Sequence, residues 1–500
     1  MHYFIRSKSR IEKNPYNKPW ENAELLPVKL KPTIDKPVSC TGTNSFTFLN
    51  LDKTFTGGID WNFAGHGKLW TYNLNYFDFL NQANLSKDDG LALIHNYIDS
   101  EANLLDGKEP YTTSLRLVNW LKFVYQHDIQ DQEIHDFILC DLKNLDRNLE
   151  YHIMANHLLE NAFALTIGAY CLNRVKTLEK GLGLLADELI EQICVDGAHF
   201  EKSPMYQQIL LDRLLDMMNF LGDYDLTYFC GNDASRMLSW LKIVTFSDGS
   251  IPYVNDATPN IAPSTSQLEK YARSMGIKAK DKRLGDSLYR KFKTDSYELI
   301  ADCGGVGPDY QPGHSHSDAG SFVMHINDSP FIVDTGISTY VANDRRLYER
   351  SACAHNTTHP DGIEPNEVWG SFRLARRETV NVINDTFKAL EIKRSLSYKE
   401  KYKLGREFAF SDQAVNIIDH AESSTKNGRY SSYIHFSPQV VITETERGIS
   451  TPEAVISFKG FVSFELLNCQ IATGFNQLEN AKKVKVDFTD TLTTEIKLTV

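Results

Sequence analysis

The sequence has no C-x-x-C pair. Its eight cysteines stand apart, at 40, 140, 171, 194, 230, 303, 353 and 469. In a chain of 500 residues that pattern offers no C-x-x-C redox motif and reads as reduced, mostly buried thiols, with no disulfide required. Long apolar runs are missing too, and nothing approaches the roughly 20 residues that a membrane-spanning helix needs. The opening MHYFIRSKSRIEKNPYNKPW lacks both the apolar stretch of about 7–15 residues and the small-residue cleavage site of a signal peptide. The expectation is a soluble protein without a membrane span, cytoplasmic by default, with a periplasmic setting as the alternative if an export signal was removed. Positive charge is also in short supply: 53 Lys and Arg against 65 Asp and Glu give a net charge of −12. An acidic field repels phosphate backbones, so no nucleic-acid partner is expected.

What is present is an ordinary globular composition, 42% hydrophobic and 24% charged. The length exceeds what one hydrophobic core usually organises, so two domains with a small third piece are expected.

Residues 1–55 carry prolines at 15, 19, 27, 32 and 37 and no sustained period, which predicts an irregular arm over a later surface. Aromatics then crowd into Asp60–Leu80, among them Trp70, Tyr72 and Tyr76. They read either as an aromatic core or as rings facing a cleft, where flat apolar surfaces stack on sugars. From about residue 90 to 275 apolar residues recur at helical spacing, as in Ile134, Ile138, Leu142, Leu145 and Leu149. Ser203-Pro204 predicts an N-cap followed by proline in the first turn. A helical bundle and a helical toroid both fit. After about residue 290 the period changes to two, in segments such as YELIAD, SFVMHI, FIVDTG, REFAFSD, QVVITE, AVISFKG and KVKVDFTD. That pattern predicts an antiparallel sandwich. The expected division is an arm at 1–55, a helical domain at 56–285 and a β domain at 286–500.

Chemistry-bearing residues concentrate between Asp309 and Thr358. His314 and His316 lie at i and i+2, so an extended backbone puts them on one face. Asp334 and His355 would complete a His/Asp/His set with an open fourth position suited to zinc. The alternative is histidines satisfied by ordinary hydrogen bonds. A turn near Asp328 would put Asp334 opposite Val323. In the helical half, Asn156 and His157 precede a well-patterned helix, where a plain N-cap is the alternative to a functional role. Tyr206 falls in the first turn after Ser203, where the helix dipole favours phenolate and makes a general base conceivable. Arginines 116, 345, 346, 350, 373, 376 and 377 either line a basic cleft or stand on solvated faces.

Together the segments DWN, LWTYNLNYFDFL, TSLRLVNWLKF, NHLLENAFAL, FEKSPMYQQ, PGHSHSDAGSF, FIVDTG, RSACAHNT and WGSFRLARR resemble the heparinase II/III-like polysaccharide lyases, with related patterns in oligoalginate lyases. The resemblance implies an α+β multidomain fold, an N-terminal (α/α) toroid followed by a C-terminal antiparallel β-sandwich. It also implies a lyase that cleaves an acidic, uronate-containing glycan by β-elimination. Asn156, with His157, matches the residue that neutralises the uronate carboxylate, Tyr206 the acid/base tyrosine, and His314 the catalytic histidine. His316, Asp334 and His355 match ligands of a largely structural zinc. Trp70, Tyr72, Tyr76, Arg116 and Arg350 are the expected substrate-binding residues. Gln207 stands where many relatives have His. The competing expectations are a glycoside hydrolase using Asp318 with Glu160 or Glu201, and a non-catalytic glycan-binding or assembly protein. The sequence leaves the oligomeric state open.

Overall fold

The computed structural model describes residues 23–222, 224, 227–280, 283–396, 402–423 and 428–499. The chain divides into two compact units, Met1–Leu189 with Arg213–Thr227, and Ile190–Asp212 with Tyr228–Val500. The segment that carries Tyr206, although helical, thus groups with the strand-rich part of the chain.

In the first unit the part of the expected arm before residue 23 lies outside the described residues. From Ala23 the chain is tied down by scattered hydrogen bonds. Ala23 N–H donates to Asp136 (2.7 Å), Leu26 N–H to the Cys171 carbonyl (2.7 Å), and Lys31 exchanges two bonds with the Asn219 amide (2.9 and 3.0 Å). It then forms a small antiparallel sheet of β1 (Cys40–Gly42), β2 (Ser45–Phe48) and β3 (Leu51–Thr54), which the proline-rich sequence did not announce.

The helices follow: α1 (Lys68–Tyr76), α2 (Lys87–Asp99), α3 (Pro110–Gln126), α4 (Gln132–Arg147), α5 (Ala155–Cys171), α6 (Val175–Gln192), α7 (Pro204–Leu221), α8 (Thr227–Val244) and α9 (Thr265–Ser274). Their starts have local causes. The Ser86 hydroxyl accepts from Asp89 N–H at the head of α2, Asp131 accepts from Glu133 and Ile134 at the head of α4, and Pro110 opens α3. Helix α3 is buried from Thr112 to Val124, so its charges must be paired inside. Arg116 makes a two-point bridge to Asp141 (2.8 and 2.7 Å), and Lys122 meets Asp216 at 2.6 Å.

The second unit contains a four-stranded antiparallel sheet, β4 (Tyr289–Lys293), β5 (Tyr297–Asp302), β6 (Phe322–Ile326) and β7 (Ser329–Ile332). A short helix α10 (Asp344–Glu349) follows, then β8 (Thr358–Pro360), β9 (Glu367–Trp369), β10 (Arg373–Ala375), β11 (Thr379–Asp385), β12 (Ala389–Leu396), β13 (Tyr402–Phe410), β14 (Ala414–Ser423), β15 (Tyr430–His435), β16 (Thr443–Thr445), β17 (Gly448–Ser450), β18 (Ala454–Gly474) and β19 (Gln477–Leu498). Among the described residues the larger sheet runs β11-β12-β13-β14-β19-β18-β17-β16, with β15 pairing both β19 and β8. Leu299, Phe322, Met324 and Ile332 of the smaller sheet share one apolar core with Leu390, Ile392, Phe408, Ile456, Val484 and Phe488 of the larger. Alternating side chains from two antiparallel sheets bury against each other, the layer logic of a sandwich.

Asn327 and Asp328, both at positive φ, make the two-residue turn between β6 and β7. Beyond Ile332 the strands part. The Asn356 amide inserts there, donating to the carbonyls of Phe322 and Val333 (2.8 Å each), while Val333 N–H turns to the His435 carbonyl. Asp334 is therefore lifted out of the hairpin instead of lying opposite Val323.

Candidate active site

The second unit brings Tyr206, His314, Glu201 and Tyr340 together. Tyr206 is placed by the start of α7 and by the loop before it. Gln207 is fully buried and pins that loop. Its carbonyl oxygen accepts from His199 N–H (2.6 Å), and its amide donates to the carbonyls of Gly197 (2.8 Å) and Met237 (3.1 Å). Gly197 has φ +100° and sits against the Arg236 backbone, where a side chain would collide. Ser203 holds the N-cap position through its carbonyl, which accepts from Gln207 N–H, but its hydroxyl is buried and makes no cap bond. The expected side-chain cap is absent, and Pro204 starts the helix.

His314 lies on the irregular segment between β5 and β6. Arg350 braces that segment from within: its guanidinium donates to the carbonyls of Ser315 (3.0 Å), Ser371 (3.1 Å) and Arg373 (3.3 Å). Burial lowers the Arg350 pKa to about 10. The His314 ring stacks on Tyr206, with centroids 4.1 Å apart and planes 16° apart, and its Nδ1 lies 3.2 Å from Glu201 Oε1. The Tyr206 hydroxyl lies 3.2 Å from that of Tyr340. Burial first, then the Tyr340 hydroxyl and the charges of Asp256 and Glu201, push the Tyr206 phenol well above its ordinary value. The helix dipole is outweighed, so Tyr206 rests as a neutral phenol, an acid in waiting rather than a preformed base.

Beneath this pair lies Asp256, on two successive residues at positive φ, Asn255 and Asp256. Asp256 accepts from His316 Nε2 (2.7 Å) and takes both arms of Arg346, one at 2.6 Å. Burial alone would raise its carboxyl, but Arg346 and His316 hold it well below the usual carboxylate range. Arg346 is thus consumed by an internal two-point bridge. Burial lowers His316 to about 4 against the pull of Asp256, so it stands as a neutral imidazole.

His355 Nδ1 bonds Asp334 at 2.7 Å. Burial opposes its charge, but Asp334 prevails and lifts it to about 8. The rings of His316 and His355 have centroids 5.2 Å apart, and each keeps one buried nitrogen, His316 Nδ1 and His355 Nε2, without a partner. Asp318 Oδ2 is likewise buried and unpartnered. Two imidazole nitrogens and a carboxylate are a donor set that fits zinc chemically once His355, held protonated by Asp334, gives up its Nε2 proton in exchange for the metal. Among the described residues, however, no three His, Cys, Asp or Glu side chains converge closely enough to hold a metal. Asp334 spends one oxygen on His355 and the other on Gly336 N–H (3.0 Å), which makes it the orienting partner of His355 in this structure.

In the first unit Asn156 is the second residue of α5 rather than its cap. The cap position is Met154, and both Met154 and Ala155 are at positive φ, a strained entry that non-glycine residues rarely adopt. Asn156 is 3% exposed, and its side-chain amide makes no hydrogen bond among the described residues. His157 Nδ1 lies 3.1 Å from Glu150, and its ring packs 4.3 Å from Tyr111. Tyr111, Tyr76 and Tyr72 continue in a row, with centroids 5.9 and 6.1 Å apart, and the Tyr72 hydroxyl donates to Glu109.

Three expected substrate contacts are placed otherwise. Trp70 is fully buried with its indole N–H on the Leu51 carbonyl, a packing residue. Arg116 is fully buried against Asp141, Tyr97 and the Gly107 carbonyl. Arg350 is spent on carbonyls as described above. Of the residues considered for hydrolysis, Glu160 is buried 2.6 Å from Arg213. Tyr340, Asp256 and Tyr111 were not singled out from sequence. Glu201, five residues before Tyr206, was considered only as a hydrolytic acid.

Two family models match the chain: "Heparinase II/III N-terminus" over residues 112–279 and "Heparinase II/III-like, C-terminal" over 277–494. Similar solved structures include a heparinase III (15% identity, TM-score 0.68, covering 89% of this chain and 80% of that one). A heparan sulfate lyase mutant from Pedobacter heparinus follows (14%, TM-score 0.62, 91% and 81%), and a Streptomyces coelicolor chondroitin AC lyase is more remote (10%, TM-score 0.51, 85% and 74%). No curated protein matches the sequence. At these identities the likenesses establish the fold, a helical toroid region followed by an antiparallel β-sandwich. With both halves of the family pattern matched in order, the chain belongs to the heparinase II/III-like family.

Proposed function

We propose that the protein is a polysaccharide lyase that cleaves a uronate-containing glycan by β-elimination. The observation that carries this reading is the stacked pair of His314 and Tyr206, with His314 Nδ1 turned to Glu201 and the Tyr206 phenol held neutral. His314 Nε2 takes the C5 proton of the uronate. The C5–H electron pair becomes the C4–C5 double bond, the C4–O bond breaks, and Tyr206 gives its proton to the departing oxygen. Tyr340 can return a proton to Tyr206 through their shared hydrogen bond. No water is consumed, and the product is a 4,5-unsaturated uronate.

Asn156 is assigned the substrate carboxylate, on the family resemblance and on its uncommitted amide, because quenching that charge lets the adjacent carbanion develop. Zinc would be held by the free nitrogens of His316 and His355 with a carboxylate of Asp318 or Asp334, and would supply a structural clamp. Tyr72 and Tyr111 offer partly exposed rings for sugar stacking, with the expected contact Tyr76 buried between them. Because Arg116, Arg346 and Arg350 are all spent internally, the favoured substrate carries its charge as carboxylate rather than as dense sulfate.

The test is incubation with heparan sulfate, heparin, hyaluronan, chondroitin, alginate and bacterial capsule preparations while near-ultraviolet absorbance is followed. A rise that disappears in His314→Ala supports the reading. Glycan shortening with a flat spectrum overturns it in favour of hydrolysis.

A further inference from the structure

We infer that Glu201 is the positioning residue for His314, fixing the tautomer that leaves Nε2 free to accept a proton; this rests on the lyase reading given above. Glu201 is 2% exposed and stands between two imidazoles, with His314 Nδ1 3.2 Å from Oε1 and His199 Nδ1 3.5 Å from Oε2. The two contacts are not equivalent. His199 Nε2 lies 2.8 Å from the Gln192 side-chain oxygen, which only accepts, so Nε2 carries the His199 proton. Burial, against the pull of Glu201, lowers His199 to about 4, so the ring is neutral and its Nδ1 has no hydrogen to give. Of the two rings, only His314 can therefore turn an Nδ1–H toward the buried Glu201 carboxylate. At 3.2 Å the two atoms are close but not aligned as a hydrogen bond in this structure, so it is the nearby negative charge that favours the proton on Nδ1.

Rotation cannot undo the arrangement cheaply. Tyr206 covers one face of the His314 ring at 4.1 Å, and Phe372 meets it edge-on at 5.9 Å. The loop that carries Glu201 is fixed in turn by the Gln207 bonds to His199 and Gly197. A neutral imidazole protonated on Nδ1 must hold its lone pair on Nε2. When Nε2 takes the proton, the cation forms against a carboxylate already in place, with no reorganisation needed at that moment.

The experiment uses the full chain with Glu201→Gln, and Glu191→Gln as a control, since Glu191 contacts only the exposed Tyr310 among these groups. Glu201→Gln is expected to lower kcat about 100-fold or more with KM within about twofold, because the change removes orientation and charge rather than substrate contact. Glu191→Gln is expected to keep both constants. In parallel, NMR of protein labelled with 15N-histidine, with the His314 signal identified by its loss in His314→Gln, should show a single Nδ1–H form in the parent and a shifted tautomer population in Glu201→Gln. If Glu201→Gln does not fold, Glu201→Asp takes its place, with a kcat loss of about 10-fold and KM held. A retained kcat, a loss confined to KM, or an unchanged His314 tautomer overturns the proposal. The NMR arm needs no substrate, so a parent protein that yields no unsaturated product refutes the lyase reading while the tautomer result still decides the role of Glu201.

Discussion

Replacing Tyr206 by Phe removes one oxygen and leaves the ring that stacks on His314. The structure separates what this costs the fold from what it costs the reaction. In the fold the hydroxyl makes one bond, to Tyr340 at 3.2 Å, which is long for an O–H donor. Its loss should cost about 0.5–1.5 kcal/mol of stability, and the 4.1 Å stack on His314 is untouched. In the reaction the same hydroxyl is the proton source for the leaving oxygen, and its loss should lower kcat about 10²–10⁴-fold. That corresponds to about 2.7–5.5 kcal/mol on the barrier. The assay is continuous near-ultraviolet absorbance on the best glycan of the panel, paired with thermal unfolding of the same preparation. Activity above one tenth of the parent value would refute the assignment of Tyr206 as the acid. A large drop in melting temperature would mean that the stability reasoning, and with it the separation of roles, is wrong.

Asn156→Ala should lower kcat about 10²–10³-fold, the cost of one lost charge-stabilising donor, with little change in melting temperature because its amide is uncommitted in the fold; steady-state rates and a melting curve check both. Asp256→Asn should destabilise the protein by about 3–5 kcal/mol in denaturant titration, since Arg346 would be left buried opposite a neutral amide. His316→Ala and His355→Ala should each reduce zinc content by elemental analysis and lower the melting temperature; an unchanged metal content would remove zinc from the account. Glu298 is pulled down to about 2, burial opposing and Lys293, Ser247 and Lys291 prevailing. A depressed carboxyl stabilises the fold above its unfolded value of about 4.3 and loses that contribution as pH falls toward 2. The difference in melting temperature between the parent and Glu298→Gln should therefore shrink from pH 5 downward.

The order of helices then strands was legible because the hydrophobic period changes once, near residue 290, and each period has a physical cause in which face is buried. Where that cause weakens, the sequence misled. QVVITE was read as a strand, but residues 439–442 form none: Val440 and Ile442 pack against the core from irregular chain, and the strand is the exposed Thr443–Thr445. KVKVDFTD was read as a short strand and is one part of the much longer β19, while β18 runs on through Gly460 at φ 84°. Beyond that glycine neither face of β18 is consistently buried, so no alternation was there to read.

The site was legible to the extent that it is carried by local motifs. Tyr206 and His314 stood in segments whose spacing and resemblance marked them. Tyr340 meets Tyr206 across 134 positions, and Arg346 meets Asp256 across 90, contacts that no periodicity records. The arginines misled for a thermodynamic reason. Composition counts charges but not their partners, and Arg116, Arg346 and Arg350 pair or bond internally because a buried guanidinium must.

The central claim is elimination, and mass balance tests it most directly. Digestion of a defined uronate-containing oligosaccharide, followed by mass spectrometry of both fragments, should give two masses that sum to that of the intact substrate, with one fragment carrying the new double bond. Fragments that sum to the substrate plus one water would contradict the account and make the protein a hydrolase on a lyase fold.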